Sequence, residues 1–275
     1  MTNNPTTDTA DVFAMEPPER RLLDRRKALV TGADSGIGQA IAYRLAAHGA
    51  AVAINHVGDS TVAEAMVRKI ESAGGKAITL PMDVTQEEQV RRAFARTAGA
   101  FHGLDLLVNN AGIERPFRLV DMELEWWQKV IDVNLTGTFL CSREAARIML
   151  ERGSRGAIVN ITSVHETIPW AEYSHYCASK GGQRMFAQSI ARELAPHGIR
   201  VLSVAPGAIE TPINKDVLAD PQRRKTVEDE IPLGRWGKVS DVAGVVAFLA
   251  SERADYIVGS TVFVDGGMTL YPRFV

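Results

Sequence analysis

The sequence is poor in cysteine, in excess charge of one sign and in long apolar runs, and each shortage excludes something. Only Cys141 and Cys177 occur in 275 residues. They lack metal-ligand spacing, so no metal is expected. A chain of this length builds its core without a disulfide, so both read as small hydrophobes in a reducing compartment. Lys and Arg number 31 against 33 Asp and Glu, a net charge of −2. Without a basic excess, nucleic acid is not expected as a partner. Apolar runs break well short of the roughly 18 residues that a membrane helix needs, so no membrane partner is expected either. The first residues show no basic stretch followed by an apolar one. No secretory leader is therefore expected, and the cytoplasm is the expected location. Residues 1 to about 25 are polar and contain proline, and are expected to form a mobile tail.

From Lys27 the texture changes. The apolar run KALVTG suits a buried strand, and GIGQAIAYRLAAHG follows with Ile37, Ile41 and Leu45 at helical spacing before Gly49. The same alternation repeats to the last strand, STVFVDGG. Apolar strands alternating with amphipathic helices require a parallel sheet covered on both faces. The expectation is one α/β domain over 26–275, a Rossmann-like, doubly wound, seven-stranded parallel sheet with helices on both faces. A single long helix is expected from about 123 to 151. Residues 208–237 carry three prolines and many charges; an excursion of that length between a strand and its helix reads as a lid.

Four polar constellations fall at strand ends. The first turn, Thr31 to Gly38, spaces its glycines as G-x-x-x-G-x-G. Such a turn brings backbone close to a pyrophosphate, and the next helix supplies free N–H groups and a positive dipole end. Asn109-Asn110-Ala111-Gly112 ends the fourth strand, where small residues let a ligand lie against the backbone. Tyr176 and Lys180 stand at i, i+4 and share a helix face. A phenol titrates near 10, too high for a base at neutral pH, and a neighbouring ammonium lowers that value. Ser163 ends the fifth strand, and Asn134 interrupts a helix where Asn is a poor interior residue. Each piece alone has a plain structural reading: a tight turn, an Asn-held strand end, a surface Tyr–Lys pair, a capping Ser. Their convergence on one sheet edge gives them weight.

With these motifs the sequence resembles the short-chain dehydrogenase/reductase family over residues ~27–270. The resemblance implies a nicotinamide cofactor, NAD or NADP, and a catalytic set of Asn134, Ser163, Tyr176 and Lys180. It implies cofactor contacts at Gly32, Ser35, Gly36, Ile37, Gly38, Asp83 and Val84. Further contacts are implied at Asn110, Ala111, Gly112, Tyr176, Lys180, Pro206, Gly207, Ile209 and Thr211. TSVHETIPW, HYCASKGG, PGAIETPIN and DGGMTLYP are similar to the family's bacterial glucose 1-dehydrogenase branch. That similarity implies oxidation of β-D-glucose at C1 to the lactone by a homotetramer. Glu172, Tyr173 and Glu210 depart from the branch near the substrate mouth. Glu114, His165 and Glu210 are the candidates for the substrate wall. In the implied mechanism Tyr176 is the general base, Ser163 holds the substrate oxygen, Lys180 lowers the Tyr176 pKa, and Asn134 supports a water path to solvent.

Strand two ends in Asn55-His56-Val57, with neither the acidic residue that binds ribose hydroxyls nor an Arg for a 2′-phosphate. The balance leans to NAD, with His56 read as an exposed strand-end residue. Reduction of a ketone or 3-oxoacyl thioester is the alternative within the class. A dinucleotide-binding protein without turnover is the alternative outside it.

Overall fold

The structure, a computed structural model, describes residues 15–17 and 20–270. Its sheet holds seven parallel strands in the order β3-β2-β1-β4-β5-β6-β7. They are β1 (Lys27–Val30), β2 (Ala51–His56), β3 (Lys76–Pro81), β4 (Leu106–Asn109), β5 (Gly156–Ile161), β6 (Ile199–Pro206) and β7 (Thr261–Val264). The chain runs outward from β1 to β3, then returns to the other side of β1 with β4. In register, Val30 lies between Ile54 on β2 and Val108 on β4. Strand order reverses at β1 and β4, so their carboxyl ends part and leave a crevice.

The helices are α1 (Gly36–Ala47), α2 (Thr61–Ser72), α3 (Glu87–Phe101), α4 (Leu124–Ile131), α5 (Gly137–Glu151), α6 (Ser174–Leu194), α7 (Lys215–Leu218), α8 (Pro221–Asp229) and α9 (Val239–Ala250). Two apolar cores form, one on each side of the sheet. One collects Ile41 and Leu45 of α1, Met66 and Ile70 of α2, and Val242 and Val246 of α9. The other collects Phe94 of α3, Leu140 and Met149 of α5, and Ala187 and Leu194 of α6. The doubly wound, single-domain fold is the expected one. Among the described residues no helix is long and apolar enough to cross a membrane.

Three expectations need correction. The stretch before residue 25 is not all tail. Leu23 is only 1% exposed and joins the core beside α1. Its N–H bonds His48 O at 3.0 Å, and Glu16 N–H bonds Ala47 O at 2.9 Å. A buried leucine outweighs the polar composition around it. Residues 1–14 of the expected tail lie outside the described residues, as do 18, 19 and the last five of the chain. The expected helix from 123 to 151 is continuous, but Asp132–Thr136 forms a π turn between α4 and α5. Such turns are rare and gather at functional sites. His56 is buried, 3% exposed, because β3 and the following turn cover the end of β2. Cys141 is buried, Cys177 half-buried, and both are free thiols.

Leu23→Ala should cost about 2–5 kcal/mol of unfolding free energy, read by urea denaturation, as large-to-small changes in a core do. A loss below about 0.5 kcal/mol, the range of ordinary surface changes, would mean that the segment is not part of the core.

Candidate active site

The first turn is built by hydrogen bonds from three strand ends. Thr31 Oγ1 accepts from Asn110 N at 2.9 Å and Ala111 N at 3.0 Å. Asn110 Nδ2 donates back to Thr31 O at 3.0 Å and Gly32 O at 2.9 Å. From β2, Asn55 Oδ1 accepts from Gly32 N at 2.9 Å, and its amide donates to Leu80 O and Met82 O. Gly32 and Gly36 have φ of 56° and 51°, in the left-handed region that favours glycine. At Gly38 a Cβ would lie 2.3 Å from Gly32 O and 2.4 Å from Asn110 Nδ2. Ser35 caps α1 in an extended conformation with no side-chain cap bond, so its hydroxyl and the first N–H groups of α1 face outward. A pyrophosphate fits this cradle.

A cleft of about 1530 Å³ opens over the turn and runs along the carboxyl edge of the sheet. Gly32, Ser35, Gly36 and Ile37 line it, with Asp83, Val84, Asn110, Ala111 and Gly112. So do Ser163, Tyr176, Lys180, Pro206, Gly207, Ile209 and Thr211. Glu114 and His165 are on its wall, as are Asp34 and Val57. Gly38 lies beneath the cradle rather than on its surface. The Asp83 carboxylate also bonds Thr85 N at 2.9 Å and Thr85 Oγ1 at 2.8 Å, shaping the turn after β3.

Asn134 is fully buried behind the cleft. Its Oδ1 accepts from Ile113 N at 2.9 Å, and its Nδ2 donates to Ile113 O and Ser179 Oγ, both at 3.0 Å. Ser179 Oγ in turn donates to Tyr176 O at 2.7 Å. The π turn thereby ties the segment after β4 to the Tyr176 turn of α6. Thr138 Oγ1 donates to Asn134 O at 2.7 Å and accepts from Gln183 Nε2 at 2.7 Å. Sequence reading missed Asn55, Thr138, Ser179 and Gln183. The i+3 spacing from Tyr176 to Ser179 was a usable signal for one of them; the others show no pattern in one dimension.

Ser163 caps the short turn Val164–Glu166 by accepting from His165 N at 3.2 Å. The cap uses the hydroxyl oxygen as an acceptor and leaves its proton free to donate. The hydroxyl also faces the Tyr176 phenol and favours its ionised form. Lys180 Nζ donates to Ile161 O at 3.0 Å and sits 5.5 Å from the Tyr176 ring centroid. Burial pulls the Lys180 ammonium down to about 8, with the Glu114 and Glu166 carboxylates opposing the fall. Burial raises the Tyr176 phenol above its ordinary value, and Glu114 adds to that rise. Its ring edge meets the cleft, yet the surrounding protein is dense. The expected lowering of Tyr176 by Lys180 is thus not achieved by these side chains alone: desolvation of the phenol is the larger effect. Burial likewise raises the Glu114 carboxyl, which Lys180 partly offsets.

Glu210 does not reach the cleft. Its carboxylate pairs with Arg224 of α8 at 3.2 Å, a partner that spacing could not reveal. The 208–237 excursion starts and returns at one point, with Glu210 N bonding Gly237 O and Gly237 N bonding Ala208 O, both at 2.9 Å. Between these ends Thr211, Ile213, Val217, Val227 and Trp236 contribute to the cleft wall. Tyr173 stacks on Trp170 at 3.6 Å, and Glu172, at φ 69°, accepts from Phe117 N at 2.8 Å.

This arrangement defines a class of protein. The family described as enoyl-(acyl carrier protein) reductase matches residues 32–269. A 3β-hydroxysteroid dehydrogenase 1 of Eggerthella lenta is 46% identical over 92% of this chain and 97% of its own length. A glucose 1-dehydrogenase of Gluconobacter oxydans is 41% identical over 94% and 98%. Among solved structures, a gluconate 5-dehydrogenase of Burkholderia cenocepacia in complex with NADP and tartrate superposes with a TM-score of 0.87. It is 37% identical and the match covers 92% of this chain and 98% of that one. The chain belongs to the short-chain dehydrogenase/reductase family and is an oxidoreductase with the fold of its NAD(P)-binding members.

Gly38→Ala should weaken NADH binding by about tenfold or more in calorimetric titration, since overpacking of this order costs about 1–3 kcal/mol. Unchanged affinity would show that the cradle yields without cost. Lys180, observed by NMR of ε-labelled lysine, should titrate near 8. Glu114→Gln removes a charge that favours the ammonium, so it should move that titration downward. An unmoved titration would mean that Glu114 does not face Lys180.

Proposed function

We propose that the chain oxidises a sugar hydroxyl, with β-D-glucose at C1 as substrate and the lactone as product. The observation that supports this most is the convergence of Ser163, Tyr176 and Lys180 on one wall of the cleft. Tyr176 takes the proton from the substrate hydroxyl, and Ser163 donates to the same oxygen and orients it. Lys180, while charged, opposes the effect of burial on the phenol and holds the ribose of the dinucleotide. Asn134 acts by position, since both of its amide hydrogens and one lone pair of its Oδ1 are engaged with Ile113 and Ser179. A bound nicotinamide supplies the hydride acceptor. The Gly32–Gly38 turn would hold its pyrophosphate, Asp83 and Val84 its adenine side, and Asn110 to Gly112 its middle. Pro206, Gly207, Ile209 and Thr211 would hold the nicotinamide end. Glu114 and His165 form the substrate wall, and the 208–237 segment closes over it to exclude water.

NAD is the favoured nucleotide. Val57, 65% exposed at the end of β2, offers no cation to a 2′-phosphate, and the Asp34 carboxylate lies on the same cleft. Exposed Phe139 on α5 and Met185 on α6 support assembly into a homotetramer through these helices. One observation favours a second reading, oxidation of an alicyclic secondary alcohol. Trp170, stacked between His165 and Tyr173, gives the cleft an apolar aromatic wall.

Initial rates with β-D-glucose should show reduction of NAD faster than of NADP. Turnover of ketones with reduced cofactor and none of glucose would redirect the substrate reading. Tyr176→Phe should lower kcat by about 10²–10⁴-fold, the usual contribution of a general base, and leave NADH binding in place. Wild-type kcat in that variant would remove Tyr176 from the chemistry. Val57→Arg should move the kcat/KM ratio toward NADP; an unmoved ratio would place the adenosine end elsewhere.

A further inference from the structure

Helix α8 stands at the cleft without an apolar anchor. None of its residues is buried, and the same holds for α7 before it. In the 208–237 segment the buried side chains are Ile209, Ile231 and Trp236, all outside these two helices. A helix ordinarily keeps its place by burying one face. Helix α8 instead keeps its shape by local polar contacts. Asp220 caps it by accepting from Gln222 N at 2.9 Å and Arg223 N at 3.2 Å, and Lys225 pairs with Asp229 one turn on. Such contacts stabilise the helix but do not fix where it sits.

Two contacts do fix its position. Arg224 Nη2 pairs with Glu210 Oε1 at 3.2 Å, while Arg224 Nε donates to Glu228 Oε1 at 2.9 Å. One guanidinium thereby joins its own helix to the root of the segment. Trp236 Nε1 lies 3.5 Å from Arg224 O. Among the described residues no other hydrogen bond or ion pair joins an α8 side chain to a residue outside 220–230. Glu210 is a firm point of attachment. Its N–H bonds Gly237 O at 2.9 Å, and it follows Ile209, which is 3% exposed. Beyond the pair, Val227 and Asp229 of α8 and the adjoining Glu230 line the cleft.

We propose that Glu210 is a positioning residue: through Arg224 it holds α8 at the mouth of the cleft, and so sets how tightly substrate is held without touching it. The proposal rests on the reading that the 208–237 segment closes over the substrate. It adds the contact that keeps the segment in place, at a position where the sequence departs from the glucose 1-dehydrogenase branch. An exposed ion pair ordinarily contributes little, and this one is partly exposed on both sides. Here, however, no buried face of α8 shares the task, so a modest contribution is a large share of what opposes displacement. With α8 displaced, part of the cleft wall is missing. Apparent affinity then falls with the fraction of molecules whose wall is in place.

The test is Glu210→Gln in the full chain. KM for the substrate should rise about two- to fivefold, the scale of an exposed ion pair, with kcat the smaller change. In the wild type KM should rise with ionic strength, because salt screens the pair; in Glu210→Gln that dependence should largely vanish. Arg224→Gln should also raise KM, and the double variant should do so no more than the larger single effect. Amide hydrogen exchange over 221–229 should quicken in Glu210→Gln, a readout that needs no substrate. An unchanged KM, additive effects in the double variant, or exchange as slow as in the wild type overturns the proposal. KM is read both with β-D-glucose and NAD and with a ketone and NADH. Turnover of the ketone alone overturns the sugar reading, and the ketone KM and the exchange rate then decide the role of Glu210.

Discussion

The buried amide of Asn134 is the constraint around which the site is arranged. Three of its side-chain hydrogen bonds are made inside the protein, to Ile113 N, Ile113 O and Ser179 Oγ. Through it the chain leaving β4 is held to the helix that carries Tyr176 and Lys180. A regular α-helix through 132–136 would turn this side chain elsewhere; the π turn rotates it inward. An unsatisfied amide at this depth would be costly, so the turn, the cleft floor and the first turns of α6 stand or shift together.

A second organising pattern is electrostatic. Lys180 is buried and Tyr176 half-buried on the cleft wall, and loss of solvent moves each toward its neutral form: the phenol up, the ammonium down to about 8. Glu114 acts on both, supporting the charge on Lys180 and opposing ionisation of Tyr176. Ser163 counters by favouring the phenolate. Burial thus moves the two pKa values in opposite directions, whereas a nearby carboxylate such as Glu114 moves both upward. Ligands that bring charge or exclude water into the cleft act on a balance already present in the protein.

The relatives carry different names, among them a hydroxysteroid dehydrogenase and a glucose dehydrogenase. One fold carries these different names, so specificity is argued from the walls of the cleft. Here those walls include His165 and Trp170, which stack on one another, and residues of the 208–237 segment. Tyr173, one of the departures legible in the sequence, proves to be the outer ring of that stack. Glu210, another departure, faces away to Arg224, which removes it from the substrate wall.

The fold class was determined by local pattern, because apolar strands alternating with amphipathic helices have few packed solutions. The glycine turn, the Asn-rich end of β4 and the Tyr–Lys spacing were legible for the same reason: each is a short-range motif whose place follows from strand order. What depended on partners distant in sequence was decided only by the tertiary structure. In the sequence Asn55 is only a polar residue at the end of β2; its bonds to Gly32, Leu80 and Met82 give it a part in building the turn. Leu23 looks like part of a polar tail until it packs beside α1. The direction of the Tyr176 shift required the degree of burial, which is a property of the assembled walls. The partner of Glu210 is Arg224, brought within 3.2 Å by a helix whose place no spacing rule prescribes.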